Sequence, residues 1–319
     1  MNASNKFNLV APDKYTAWPV LGRANDKLVC IYTVADKHSA AESKLFMKTS
    51  IDGISWSDGK EVFTDKTGIK GVTGVGNDSE GNLLIWYRDG APAVLQTKFE
   101  LYKTDGNTMT LVCKADFDVR GGHIGNIFAA EGNVLFSFYN TYGLVRSFGI
   151  LKSYDDGKSW EMTPIETMVD KPECPVEIDG FYAGDKKIFA LGRKDAVDGT
   201  RAMFQLESCD LGQSWSKKYT NITDAIFNSP AFIFEQGEDK IFLYYFDRST
   251  GKLKRRITTF SHIWGNPLGW SDFEILAEES SGGEDTGNVR VVKINDIHLA
   301  VYYAGNSTTT GIYGVTNEY

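Results

Sequence analysis

Residues 153–160 read SYDDGKSW: a serine, an aspartate two places on, a glycine, then serine and tryptophan. Residues 208–215, SCDLGQSW, match the same Ser-x-Asp-x-Gly-x-Ser-Trp pattern at every fixed position, and residues 50–56, SIDGISW, are a copy one residue shorter. Five fixed positions do not recur three times by chance in a chain of 319 residues. The string reads as a turn. Its Asp and Ser side chains bond backbone amides, its Gly takes a positive φ, and its Trp packs against a neighbouring element. The copies are expected to be structural and to lie away from any axial site.

The spacing of the copies exposes a repeat. Ser50 to Ser153 is about twice the interval from Ser153 to Ser208, and between them YKTDGNTMTLV (102–112) keeps Thr104, Asp105 and Gly106 without the Trp. A unit of roughly 50 residues follows. Six units are found, opening at Trp18, Val72, Ile124, Cys174, Ser229 and Asn288. Each has a short apolar strand, a Gly/Asn/Asp-rich turn, then a hydrophobic strand such as NVLFSFY or KIFLYYF, too uniformly apolar to have a wet face. No convincing amphipathic helix is present. The expected fold is all-β: a six-bladed β-propeller of four-stranded antiparallel blades, one domain over residues 1–319. The sixth unit ends soon after GIYGVT, so the N-terminal KFNLVAP is expected to supply its missing outer strand and close the ring.

Composition narrows the function classes. The net charge of −8, with no basic block to offset it, argues against nucleic acid as a partner. It leaves room for a local arginine cluster that binds an anion. Cys30, Cys113, Cys174 and Cys209 show no CxxC spacing and are expected to be free, buried thiols. The N-terminus lacks the basic and apolar regions of a signal peptide, and no stretch has the length of a membrane-spanning helix. The expectation is a protein made for the cytoplasm, or released to the outside as part of a larger assembly, with no membrane insertion. The four histidines share no metal-ligand spacing, GVTGVG (71–76) lacks the Lys-Ser/Thr and helix of a phosphate loop, and no nucleophile elbow occurs. No metal or cofactor is expected.

The repeated string resembles the Asp-box of the sialidase superfamily, whose members fold as six-bladed propellers. The resemblance runs through the whole repeat. It implies an axial pocket in which three arginines hold the substrate carboxylate, a tyrosine with a glutamate beside it acts as nucleophile, and an aspartate is the acid/base. The segment ECPVEID…IFALGR resembles the one in which a Glu opens the inner strand and an Arg ends the second, which maps these roles onto Glu173 and Arg193; Arg248, after FLYYFD, is the second arginine. Asp36, in the loop VADKHSAAES, stands for the acid/base together with Glu42, and Asp285 is a further carboxylate facing the axis. The sequence departs from the family at two points. Ala17 in TAWPV stands where the family carries Arg. Asn288 lies near the position of the nucleophilic Tyr, with Tyr302 and Tyr303 following at the end of the second strand.

The repeat offsets add to this list. Polar residues follow the hydrophobic second strands at recurring places: Asp36, Lys37 and His38; Arg88 and Asp89; Tyr139 and Asn140; Arg193, Lys194 and Asp195; Asp247 and Arg248. They are read as the lining of one cavity, against the alternative of solvated loop charge. His123 opens an inner strand after RGG and either faces the cavity or packs; Trp18, Trp86 and Tyr139 are candidate sugar-stacking aromatics, and Asn288 joins them. The expected function is a sialidase-like glycoside hydrolase acting on an acidic glycan. Glu173, Asp36 and Asp285 are the catalytic candidates. Arg193, Arg248, Arg88, His123, Trp18, Tyr139 and Asn288 are the substrate-binding candidates. The alternative is a non-catalytic glycan-binding propeller, such as the receptor-binding head of a phage tail fibre. Either way the partner is a carbohydrate.

Overall fold

The computed structural model describes residues 5–38, 40–90, 97–117, 119, 121–142, 145–169, 174–194, 202–225, 228–279 and 285–318. Nearly all regular structure is β-strand, and the single α-helix among these residues, Phe260–Ile263, is one turn long. The second strands of the repeats have two dry faces, as their composition requires: Ile241 through Asp247 are all buried in Lys240–Asp247. Such a strand needs a sheet packed on either side. The apolar clusters supply that packing, each lying between consecutive units. Val20 and Ile31 of unit one meet Val75 and Ile85 of unit two, and Leu299 and Val301 of unit six meet Leu28 and Cys30 of unit one.

The strands of the described residues form five antiparallel sheets, four of four strands and one of seven. In the seven-stranded sheet the strand Asn5–Ala24 is shared. Its first part pairs with the last strand, Thr310–Glu318, from Asn5↔Thr316 to Lys14↔Thr310. Its second part pairs with Lys27–Ala35, from Tyr15↔Ala35 to Ala24↔Lys27. Thr16 and Thr310 lock the changeover: Thr16 N donates to Thr310 Oγ1 at 2.7 Å and Thr16 Oγ1 to the Thr310 carbonyl at 2.6 Å. The first strands of successive units touch in turn, and Thr286–Ile294 of unit six touches Asn5–Ala24 of unit one. The arrangement is that of a β-propeller. The inner strands approach very closely at Gly74, where a Cβ would lie 1.8 Å from the Gly125 carbonyl oxygen, so only glycine fits.

The three Ser-x-Asp-x-Gly-x-Ser-Trp turns share one geometry. The serine hydroxyl accepts the glycine amide at 2.8 Å in each, and the aspartate carboxylate accepts further turn amides. The tryptophan indole donates to the glycine carbonyl. Each turn leans on the sheet of the preceding unit: Trp160 lies 5.3 Å from Trp86 and Trp215 lies 5.5 Å from Phe138. Trp86, a candidate sugar-stacking residue by sequence, is therefore a fully buried part of this packing. The four cysteines are free, but only Cys30 and Cys174 are buried: Cys113 is half-buried, and Cys209 is exposed at the outward x position of its turn.

Candidate functional site: an arginine-lined axial pocket

In five of the first strands the ladder slips by one residue at the same place. The slips fall between Ala17 and Val20, Val72 and Val75, Ile124 and Ile127, Val176 and Asp179, and Gly287 and Arg290. Such a bulge re-aims a side chain. Trp18, Glu177 and Asn288 sit there with φ of 52°, 48° and 50°, a strained conformation for residues with a Cβ. Trp18, Thr73, Glu177 and Asn288 all line one cavity of about 570 Å³. Unit five contributes from the neighbouring position: the Ser229 hydroxyl, ahead of strand Ala231–Glu235, donates to Glu177.

Four arginines enter the same cavity. Arg88 lies across the ladder from Gly71, where a Cβ would come within 3.0 Å of its guanidinium. Arg193 pairs in register with Val176 and reaches Glu177, Nη1 to Oε2, at 2.8 Å. Arg248, just past strand Lys240–Asp247, donates from Nε to the Thr286 carbonyl at 2.7 Å. Arg290 follows the unit-six bulge and donates to the carbonyls of Val289 and Thr73. Only Arg193 of the four makes a salt bridge among the described residues. Arg88 Nε, Arg290 Nε, His123 Nδ1 and Thr73 Oγ1 are buried without a hydrogen-bond partner there, an arrangement that a ligand rich in acceptors satisfies.

The charges in this wall set one another. Burial alone would raise the Glu177 carboxyl, but Arg193, His123, the Ser229 hydroxyl and Arg248 hold it down at about 2. His123 is itself pushed down to about 3, by burial first and then by Arg290, Arg88 and Arg193. His123 is thus neutral at pH 7, so the arginines and Ser229 are what keep Glu177 ionised there. Burial lowers Arg88 to about 10, still charged at neutral pH. Among the described residues one ionised carboxylate stands with four guanidinium groups, which makes a pocket for an anion.

The sequence candidates divide clearly. Arg88, His123, Arg193, Arg248, Trp18 and Asn288 line the pocket together. Asp285 stands behind the wall, its Oδ1 2.7 Å from His38 Nδ1, and His38 is the lining residue. Asp36 is exposed and outside the wall: the chain leaves the second strand at Ala35, and the turn carries His38 inward in its place. Tyr139 belongs to the core, with its ring over Gly149, where a Cβ would meet it at 2.7 Å. Glu173 and Asp195 lie outside the described residues. Sequence reasoning missed Glu177, Arg290, Thr73 and Tyr142. A usable signal existed: Trp18, Gly125, Glu177 and Asn288 each stand seven residues before the left-handed turn residue of their hairpin, Asn25, Gly132, Gly184 and Asn295.

Tyr303 also lines the pocket, from the second strand of unit six, where it pairs with Gly287 beside the bulge. It is fully buried, its phenol is pushed up to about 12 chiefly by that burial, and the Trp18 side chain hydrogen-bonds it. Tyr302 points elsewhere and donates to Glu279.

No family model matches the sequence, and no curated protein matches it. Solved structures do. The chain is similar to a protein of unknown function from Dyadobacter fermentans, at 14% identity over 100% of both chains with a TM-score of 0.77. It is similar to the Hadza microbial sialidase Hz136, at 14% identity over 95% of this chain and 66% of that one, with a TM-score of 0.70. Trypanosoma rangeli sialidase, solved in complex with sialic acid, matches at 13% identity over 99% of this chain and 59% of that one, with a TM-score of 0.70. The chain thus spans two thirds or less of these two sialidases. At such identities the likeness is one of fold, and the fold is sialidase-like.

Proposed function

We propose that the chain is one six-bladed propeller whose axial pocket binds a carboxylated sugar and hydrolyses its glycosidic bond. The blade count follows from dividing the seven-stranded sheet between Lys14 and Tyr15, which leaves the N-terminal strand as the outer strand of the sixth blade. The observation that carries the ligand class is the convergence of Arg88, Arg193, Arg248 and Arg290 around Glu177, the one carboxylate in the pocket wall among the described residues. Arg88, Arg248 and Arg290 are the groups that receive the ligand carboxylate, while Arg193 holds Glu177 in place. Glu177, ionised at neutral pH, faces the positive charge that develops at the anomeric carbon. The role that the resemblance gave to Glu173 passes in this reading to Glu177. The sialidase-like fold supports the same substrate class.

Tyr303 does not serve as nucleophile in this reading, because its hydroxyl is buried and bonded by Trp18. Asn288 stands on the inner strand instead, and the attacking group is water. The same observation favours a second reading, a glycan-binding pocket without turnover. Assay of the purified protein against 4-methylumbelliferyl glycosides of N-acetylneuraminic and glucuronic acid separates them. Turnover of either supports hydrolysis. Binding of the free acids without turnover moves the assignment to the receptor reading, and neither result removes both.

A further inference from the structure

We propose that His38, held by Asp285, is the group that protonates the leaving oxygen; this rests on the hydrolase reading above. His38 stands three residues past strand Lys27–Ala35, and its backbone amide is tied to unit six by a 2.8 Å bond to the Ser307 carbonyl. Its Nδ1 lies 2.7 Å from Asp285 Oδ1 and 2.9 Å from the Tyr15 hydroxyl. Tyr15 in turn hydrogen-bonds the Asp285 carboxylate. The ring packs edge-on against Tyr15 and Trp18, each at 5.6 Å between centroids. Three separate elements therefore fix one imidazole.

That arrangement decides the tautomer. The carboxylate oxygen at 2.7 Å is the acceptor of that contact, so Nδ1 carries a hydrogen and the exchangeable site is Nε2. Among the described residues Nε2 has no partner, and His38 lines the pocket beside Trp18, Arg248 and Tyr303. The charged and titratable groups around the ring are Asp285 and Tyr15 in contact, Arg248 and Tyr303 in the same pocket wall, and Asp36 and Lys37 on its own exposed turn. The Asp285 contact fixes Nε2 as the nitrogen that faces the pocket and delivers the proton, the part a second carboxylic acid plays in other glycosidases.

The step balances as follows. The glycosidic C–O bond breaks and its electron pair stays on the leaving oxygen, which takes the Nε2 proton. The oxygen of water bonds the anomeric carbon, and the proton that this water sheds restores the imidazolium through solvent. Glycoside and water give free sugar and alcohol, with no other reactant.

The test compares leaving groups. Wild type, His38→Gln and Asp285→Asn are assayed on a 4-methylumbelliferyl glycoside, which needs little protonation, and on the methyl glycoside of the same acid, which needs it fully. The acid is whichever of N-acetylneuraminic or glucuronic acid the wild type hydrolyses. His38→Gln is expected to lose about 100-fold or more in kcat on the methyl glycoside and under about tenfold on the umbelliferyl one. Asp285→Asn is expected to fall between the two proteins in kcat on the methyl glycoside. Thermal unfolding and circular dichroism that match wild type in both variants show that the fold is intact. Equal losses on the two substrates, or full turnover by His38→Gln, overturn the proposal and leave the hydrolase reading standing. A wild type inactive on every glycoside overturns both.

Discussion

Arg193 Nη1 lies 2.8 Å from Glu177 Oε2, and the two residues come from facing strands of one hairpin, the glutamate from a bulge that holds it at a φ of 48°. The pair makes Glu177 a fixed negative charge among arginines. In the proposed reaction that charge opposes a developing cation, and it also weakens the pocket for a bound carboxylate. Glu177→Gln should therefore split the two properties. Affinity for free N-acetylneuraminic or glucuronic acid is expected to rise by about tenfold, as one repulsion is removed. Turnover is expected to fall by about 100-fold or more. Calorimetry and steady-state kinetics on the same preparation check the split.

Arg88 carries the opposite trade. Its Nε is buried without a hydrogen-bond partner among the described residues, and burial lowers the guanidinium to about 10. A base whose folded pKa lies below its unfolded value costs stability at every pH below the folded one, so the penalty is fully present at pH 7. Arg88→Met is expected to raise stability by about 1–3 kcal/mol while weakening acid-sugar binding about ten- to a hundredfold. Urea denaturation and calorimetric titration read the two effects separately.

His123 makes the fold sensitive to acid. Its folded pKa of about 3 lies below the unfolded value of about 6.5, so the unfolded chain binds the extra proton between them. Stability is fully present above that window and is lost as pH falls through it. His298, lowered to about 4 chiefly by burial, acts in the same direction. His123→Gln is expected to recover up to about 3 kcal/mol of the loss between pH 7 and pH 4. Thermal unfolding across that range measures it, with His298→Gln as the second contributor.

The turn glycines allow a matched comparison. Gly157 has a φ of 87° and a Cβ there would lie 3.1 Å from Leu101 and 3.3 Å from Leu84, on the preceding sheet. Gly132 has a φ of 73° with nothing within 4 Å. Gly132→Ala is expected to cost about 1 kcal/mol, from backbone strain alone, and Gly157→Ala about 2–4 kcal/mol, from strain and overpacking together. Equal costs in denaturant titrations would mean that the turn does not act as a wedge between sheets.

The fold was legible because it repeats. SYDDGKSW and its copies mark the period, and each doubly apolar strand such as KIFLYYF requires neighbours on two sides. Arg88, Arg193 and Arg248 were legible for the same reason, since they end or follow second strands at neighbouring positions. Glu177 was not. Alternation along PVEID gives a strand but not the bulge, and a one-residue slip decides which side chain faces the axis. Tyr139 fails in the converse way: it holds the offset of Arg193, yet Gly149 opposite opens space that draws its ring into the core. The Asp285–His38 contact joins residues from opposite ends of the chain, and only the meeting of unit six with unit one brings them together.

The central claim is that the axial pocket is built for a carboxylate on a sugar. The most direct measurement is calorimetric titration of wild type and Arg248→Ala with N-acetylneuraminic acid, glucuronic acid and their methyl esters. The account predicts that the wild type binds at least one acid, binds its ester about tenfold or more weakly, and loses that preference in Arg248→Ala. Equal affinity for acid and ester, or an unchanged preference in Arg248→Ala, would contradict it.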